Sequence, residues 1–445
     1  MQYNLGVGRF DNLCRGGNTL HVLVLTDRDW SHPDAGGTGT TLRSLTTRWL
    51  DAGHRVTIIA GAYDGSVSVE RPRAGLEVHR MGSRLTVFPR AALACLRGLG
   101  RDADVVFEVI NGIAFFTPLW RFLRAPKVVF LQHVHQRHYV MELGLVGRIA
   151  GLLLERLPLR LLYRGISICS ISQSSRDELI EMGVPAATIE VVYLGVQIKS
   201  SEEPRATVPT LLYLGRLKRY KRLEALLDVL EGVPEAVLEV AGDGDQREAF
   251  EEEVERRGLR ERVVIHGFVP EHQKATLYSR AWLAITASGA EGWGLTVMEA
   301  AACGTPTAAL RVGGLSEAIV DGETGVLADD VPALTARARE VLGSSELRDR
   351  IGAAAEQRAQ SFTWERAARE ILQLLDKVAA DGRVRYRMRR PELLPTTDTE
   401  SIIGNGPVLD GELTPVNGNG AHPDGGAPRA GRSVRTSESS SGLGS

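Results

Sequence analysis

The chain has 445 residues, more than one core usually supports, with 43% hydrophobic and 24% charged residues, an ordinary globular balance. Its formal net charge of −2 gives no reason to expect a nucleic-acid polymer as partner, and its four cysteines (Cys14, Cys95, Cys169, Cys303) form no C-x-x-C pair, which argues against a zinc site and a disulfide scaffold. It shows neither a charged segment leading into an apolar core nor a run of about 20 apolar residues, so no signal peptide or membrane span is expected and the chain is assigned to the cytoplasm.

Residues 1–18 read as an N-terminal extension. From there, short apolar, β-branched runs at 21–25, 55–59, 104–107, 127–131 and 166–169 predict buried strands, separated by helical stretches such as 38–52. The pattern repeats at 210–214, 237–240, 263–265 and 283–286. Alternation of this kind predicts parallel sheets covered on both faces, hence an α/β chain of two Rossmann-like, doubly wound domains facing across a cleft. Ligands are then expected at the carboxyl ends of the strands. The polar segment 200–207, with its proline, marks the joint between a first domain at 19–199 and a second at 208–361. A helix at 362–380 follows, then a basic cluster at 383–390. Residues 391–445, dominated by Gly, Ser, Pro, Asn and Thr, read as a disordered tail.

Several stretches carry chemistry. His32-Pro-Asp-Ala-Gly36-Gly37-Thr-Gly39 follows the first strand and can offer backbone N–H groups to an oxyanion, although glycine-rich turns there are common. Three histidines, His133, His135 and His138, follow the strand at 127–131; with no cysteine or carboxylate beside them, a single histidine facing the cleft fits better than a metal site. In residues 147–165, Arg148, Arg156, Arg160 and Arg164 recur at four-residue multiples among leucines. That pattern suits packing on the sheet or contact with an anionic membrane surface, and Pro158 is expected to interrupt the helix. In Gly215-Arg216-Leu-Lys-Arg-Tyr-Lys221, two cations five positions apart at a strand end can converge on one diphosphate or be solvated surface charges. Phe268 reads as a core aromatic or as a contact for a base. Finally, Glu291-Gly-Trp-Gly-Leu295 opens a helix at 295–302 that carries Glu299. Its glycines permit close backbone approach, and free N–H groups at the helix start suit hydroxyl or phosphate oxygens; Glu299 alone is also explained as a partner of the helix dipole.

Taken together, residues 20–375 resemble the retaining GT-B glycosyltransferases of family 4. Glu291 and Glu299 correspond to its E-x7-E element, and Arg216 and Lys221 to G-R-L-x-x-x-K-G, with Arg222 at the usual glycine. Val240-Ala-Gly242-Asp-Gly244 matches its G-D-G loop, and Gly313-Gly-Leu-Ser-Glu317 its G-G-x-x-E turn, taken as scaffold. The resemblance implies transfer of a sugar from a nucleotide-diphosphate donor to a glycan, lipid-linked or small-molecule hydroxyl, with possible peripheral membrane contact and no nucleic acid. It implies that Arg216 and Lys221 stabilise the departing diphosphate, Glu291 holds the sugar, Glu299 binds the ribose and His133, with His135 next, orients the sugar from the first domain. Gly36, Gly37, Phe268, Gly292, Trp293, Gly294 and Leu295 complete the donor site, and the helix at 362–380 is implied to return to the first domain. No cofactor and no metal are expected, because Arg216 and Lys221 do the work of a cation; Asp27-Arg-Asp29 and Asp243-Gly-Asp245 only mimic the D-x-D motif of another fold. A sugar-nucleotide epimerase and a non-catalytic nucleotide-sugar-binding protein are the alternatives.

Overall fold

The computed structural model describes residues 19–198 and 200–389. The N-terminal extension, Cys14 and the segment 391–445 lie outside the described residues. Of the first sheet, β1 (His21–Leu25), β2 (Arg55–Ala60), β3 (Val69–Arg73), β4 (Leu76–Arg80), β5 (Val105–Ile110), β6 (Lys127–Leu131), β7 (Ser167–Ser170) and β8 (Ile189–Val191) take the order β3-β4-β2-β1-β5-β6-β7-β8. β3 alone runs antiparallel, paired to β4. The second sheet is parallel throughout: β9 (Thr210–Leu214), β10 (Val237–Ala241), β11 (Val263–Gly267), β12 (Leu283–Thr286), β13 (Thr307–Leu310) and β14 (Gly325–Ala328), in the order β11-β10-β9-β12-β13-β14. Central strands such as β1 and β5 are buried at every position, as continuous Val, Ile and Leu runs require when helices cover both faces.

The helices are α1 (Gly36–Asp51), α2 (Val87–Leu96), α3 (Gln136–Gly151), α4 (Leu157–Leu161), α5 (Gln173–Glu181), α6 (Glu224–Glu231), α7 (Arg247–Arg256), α8 (Glu271–Arg280), α9 (Leu295–Ala302), α10 (Leu315–Ala318), α11 (Val331–Leu342), α12 (Ser345–Ala359) and α13 (Trp364–Arg389). α13 begins two residues later than expected and runs on through the basic cluster as far as Arg389, so that stretch is helical and not a separate segment. Gly382 lies against Pro126, and Arg383 pairs with Asp104 at 3.3 Å. The long helix packs on α1, β5 and β6: Trp49 Nε1 donates to the Ala368 carbonyl at 3.0 Å, and Arg48 holds Glu365 at 2.6 Å.

Pro158 does not break the chain's helical course. A π-helical turn, Leu152–Arg156, absorbs the strain ahead of it, and Pro158 sits in the first turn of α4, where its missing N–H is not needed.

Each sheet reverses its winding once, between β1 and β5 and between β9 and β12. At these switch points neighbouring connections leave in opposite directions and open a crevice beyond the strand ends. The loops there are 26–35 and 111–116 in the first domain and 215–223 and 287–294 in the second, and the second pair carries the basic and glutamate motifs.

Candidate active site

At the end of β9 the chain turns through Gly215 and a short 3-10 turn, Arg219–Lys221, and leaves it through Arg222 with φ 53° and ψ 53°. Arg222 therefore keeps the left-handed path that a glycine would take. Arg216, half-buried, points toward α1: a Cβ placed on Gly36 (φ 52°) would lie 3.6 Å from its Nε. Gly37 faces Leu295, whose Cδ1 would be 3.3 Å from a Cβ there. The structure thus brings Gly36, Gly37, Arg216 and Leu295, drawn from both domains, into one place. Gly36 and Gly37 belong to the first turn of α1 and not to a loop ahead of it.

Beyond β12, residues 287–294 form a loop pressed between the two domains. A Cβ on Gly292 would come within 2.3 Å of the Gln132 carbonyl and 3.0 Å of His133 Cβ. On the other side, Gly314 N donates to the Glu291 carbonyl at 2.9 Å, and a Cβ on Gly313 or Gly314 would strike backbone at 2.5 and 2.2 Å. The glycines are therefore what lets three backbone segments stack. Gly294, at φ 91°, is the N-cap of α9.

Glu291 forms an ion pair with Lys221. Burial pulls the Lys221 ammonium down in pKa, and the attraction of Glu291, with Tyr220 and Tyr213, more than offsets it, so the net direction is up. His133 lines a small cavity with Glu291 and Gly313 from the second domain and Ser174 and Glu178 from the first. His135 stacks on His133 with ring centroids 4.0 Å apart, but its Nδ1 faces Glu155 at 3.5 Å. Glu155 is fully buried and also accepts from His135 N and Gln136 Nε2, each at 2.8 Å, which anchors the start of α3. The geometry therefore separates the two histidines. His133 faces the glutamate loop, and His135 faces the anchor.

Glu299 lies one turn into α9, accepts from Tyr278 OH at 2.9 Å and sits 3.8 Å from Lys274 Nζ. Burial pushes its carboxyl upward in pKa, against the pull of Lys274. Phe268 is 80% exposed at the end of β11, which removes the core reading and leaves its face open. Trp293 departs from expectation. Its ring is only 2% exposed, packed on Tyr193 and Phe362 at 4.7 and 5.1 Å, so the side chain is core and only its backbone faces the rest of the 287–294 loop.

The two aspartate pairs are engaged by cations of the chain. Asp27 meets Arg84 and Arg28 at 3.2 and 3.4 Å and Asp29 meets Arg80 at 2.6 Å, while Asp245 meets Lys218 at 2.7 Å and Asp243 lies 3.9 Å from Arg247.

Sequence reasoning treated Glu317 as part of a turn. In the structure its carboxylate reaches from α10 to the first domain, accepting from Gln173 N at 2.8 Å, Ser174 N at 2.6 Å and Tyr193 OH at 3.0 Å. It thereby satisfies the free N–H groups at the start of α5, a favourable place for a negative charge. Tyr220 and Gln132 were also missed: Tyr220 OH lies 3.5 Å from Arg216 Nη2 and its ring 5.0 Å from Lys221 Nζ, and Gln132 accepts from Thr38 at 2.7 Å.

Two doubly wound domains, with cations and carboxylates gathered at the switch points and close glycine-backbone contacts between them, are the arrangement of the GT-B fold. Residues 35–200 match the family described as Glycosyltransferase Family 4, and residues 197–358 the one described as Glycosyl transferases group 1. The chain belongs to the family-4, GT-B glycosyltransferases and is a transferase. It is similar to the glycogen synthase of Mycobacterium tuberculosis, 26% identical over 387 residues that cover 78% of this chain and 92% of that one. It is similar as well to the GDP-mannose-dependent alpha-(1-6)-phosphatidylinositol dimannoside mannosyltransferase of that species, 27% identical over 384 residues covering 79% and 95%. Sucrose-phosphate synthase from Thermosynechococcus elongatus shares the fold with a TM-score of 0.71 at 21% identity, over 81% of this chain and all of that one.

Proposed function

We propose that the protein transfers a sugar from a nucleotide-diphosphate donor to an acceptor hydroxyl with retention at the anomeric carbon, and without a metal. The observation that carries this reading is the convergence of Arg216, Lys221 and Glu291 on the glycine-lined cleft, opposite Gly36, Gly37 and His133. Donor binding exchanges the Lys221–Glu291 contact for two others. Lys221 and Arg216 take the diphosphate, and Glu291 takes the sugar hydroxyls, with His133 on the opposite wall. Glu299 receives the ribose and Phe268 the base. As the bond from the anomeric carbon to the diphosphate oxygen breaks, its electron pair goes to the diphosphate, where the two cations stabilise the developing charge, while the acceptor oxygen bonds to the anomeric carbon and its proton passes to the departing diphosphate. A relative whose name states dependence on GDP-mannose supports a nucleotide-sugar donor, and the resemblance to retaining enzymes supports the stereochemistry. The chain cations that already hold all four aspartates of the D-x-D pairs support the metal-free reading.

A panel of nucleotide sugars tests this by thermal stabilisation followed by transfer, since a ligand that binds the folded state raises its stability. With the donor found, Arg216→Ala and Lys221→Ala each lower kcat/KM by about 2 to 4 kcal/mol in transition-state stabilisation. Turnover in excess EDTA equals that with added magnesium. Near-normal turnover in both variants would sink the charge assignment, and acceptor-independent epimerisation of the donor would assign the cleft to an epimerase.

A further inference from the structure

Glu299 is gripped by one neighbouring helix. α8 carries Lys274 and Tyr278 four residues apart, so their side chains leave the same face. Each addresses a different oxygen of the carboxylate: Tyr278 OH donates to Oε2 at 2.9 Å, and Lys274 Nζ lies 3.8 Å from Oε1. Tyr278 is buried. Lys274 is set in place by Glu271, three residues before it on the same helix, at 2.8 Å. Glu271 is 66% exposed and solvated, whereas the side chains of Lys274 and Glu299 are only 18% and 13% exposed. Glu299 is therefore open enough to meet a ligand and has too little water around it to solvate its charge. Burial lowers the pKa of Lys274, and Glu299 and Glu271 more than offset this, so the ammonium stays charged.

An ionised carboxylate has lone pairs for about four hydrogen bonds. With one taken by Tyr278, it can still accept from both hydroxyls of a ribose. A protonated carboxyl carries a donor of its own and loses that double acceptance. We propose that Lys274 is a positioning residue of the ribose subsite: it holds the Glu299 carboxylate ready to accept both ribose hydroxyls, and so lets the cleft tell a ribonucleotide from its 2′-deoxy counterpart. This role rests on the reading that Glu299 receives the ribose, and Lys274 acts through Glu299 without touching a reacting atom. The titratable groups about Glu299 among the described residues are Lys274, Tyr278 and Glu271 of α8, Cys303 just beyond α9 and, past it, Glu356 of α12. Of these, Lys274 alone is positive. Burial pushes the Glu299 carboxyl up in pKa, and Lys274 pulls against it. Without Lys274 that burial is unopposed, so Glu299 takes up its proton at a higher pH than in the parent. Ribose binding is then full above that pH and lost as pH falls through it.

The test is calorimetry of the full chain with UDP, GDP and their 2′-deoxy forms, from mildly alkaline to mildly acidic pH. Lys274→Met keeps the apolar stem and removes the charge. Its affinity for the ribonucleotide is expected to fall away from the parent's as pH drops, by up to about tenfold per pH unit once Glu299 is protonated. The preference for ribo over deoxy shrinks in step. Comparison with the parent at each pH removes the titration of the phosphate itself. Lys274→Arg restores the charge and recovers both the profile and the preference. Lys274→Gln behaves as the methionine variant does, so the test does not hang on one variant's folding, and melting curves show which variants keep the parent's stability. A charge-free variant that follows the parent across the whole range, while Glu299→Ala is weakened, overturns the role of Lys274 and leaves the ribose subsite in place. Three other results overturn the ribose assignment and the role of Lys274 with it: full nucleotide affinity in Glu299→Ala, equal binding of ribo and deoxy forms by the parent, or no binding of either base.

Discussion

Arg222 holds a left-handed backbone conformation, where a Cβ costs on the order of 1 kcal/mol and glycine costs little. Glycine adds freedom to the unfolded chain, which offsets part of that gain. Arg222→Gly is therefore expected to be neutral or stabilising by up to about 1 kcal/mol, read from the urea midpoint, and to leave transfer unchanged; a clear loss of stability would show that the Arg222 side chain contributes more than its backbone costs. His54 gives a second residue-scale expectation. It is buried, and its Nδ1 accepts from Leu20 N at 3.0 Å; burial lowers its pKa. The unfolded chain then takes up the proton first as pH falls through the ordinary histidine range near 6.5, so stability contributed above that pH is lost below it. Denaturation at pH 7.5 and 5.5 reads this directly, and His54→Gln flattens the difference. An unchanged slope would remove His54 as its source. The same scale shows what a sequence reveals. Arg216, Lys221 and Glu291 stood out because their spacing matches the G-R-L-x-x-x-K-G and E-x7-E elements; a basic loop at a strand end is by itself also explained as solvated surface charge. Trp293 did not separate into core side chain and loop backbone, because burial depends on Tyr193 and Phe362, which lie far away in the sequence.

At the scale of elements, α10 is four residues long yet joins the domains through Glu317 and the start of α5. Hydrogen bonds to a carboxylate contribute about 1.5 to 3 kcal/mol when well formed. The residues proposed to hold the nucleotide, Arg216, Lys221 and Glu299, all belong to the second domain, so binding of free nucleoside diphosphate does not require this contact. Glu317→Ala is expected to lower kcat/KM about tenfold or more while leaving nucleoside-diphosphate affinity nearly unchanged by calorimetry. Parallel loss of both would mean that Glu317 supports the second domain itself and not the closure of the cleft. Long apolar strands such as β1, β6 and β9 were readable from pattern alone. Five of the described strands were missed. β3 is charged and mostly exposed, so it lacks a buried face to mark it; β4, paired to it, alternates buried Leu76, Val78 and Arg80 with half-buried Glu77 and His79. β8 is only three residues long, and β13 and β14 are four-residue runs of small side chains that become strands only by pairing with β12 and with each other. Pro158 misled because a π-helical turn is a tertiary accommodation with no local sequence sign.

At the scale of the molecule, α13 ties the two sheets into one core. Ala367, Ala368, Ile371, Leu374, Leu375 and Ala379 are buried in a cluster that also holds Leu42 and Trp49 of the first domain and Trp293, Val297 and Leu315 of the second. The helix begins where Trp364 presses on Gly195, a position so close that a Cβ there would meet Trp364 N at 2.1 Å. Composition and strand alternation announced two domains, and the resemblance implied that the last helix returns to the first; that one continuous apolar cluster would span both depends on side chains from distant elements and was not readable. Leu375 is fully buried within it. Leu375→Ala leaves a cavity and is expected to cost about 2 to 5 kcal/mol. Because the cluster is shared, that loss belongs to both domains, and hydrogen exchange should lose protection in β1 and β5 together with β9 and β12, in one cooperative transition. If only the first domain's strands were weakened while the second kept its full protection, α13 would be a helix of the first domain alone and the shared core would not be a unit of stability.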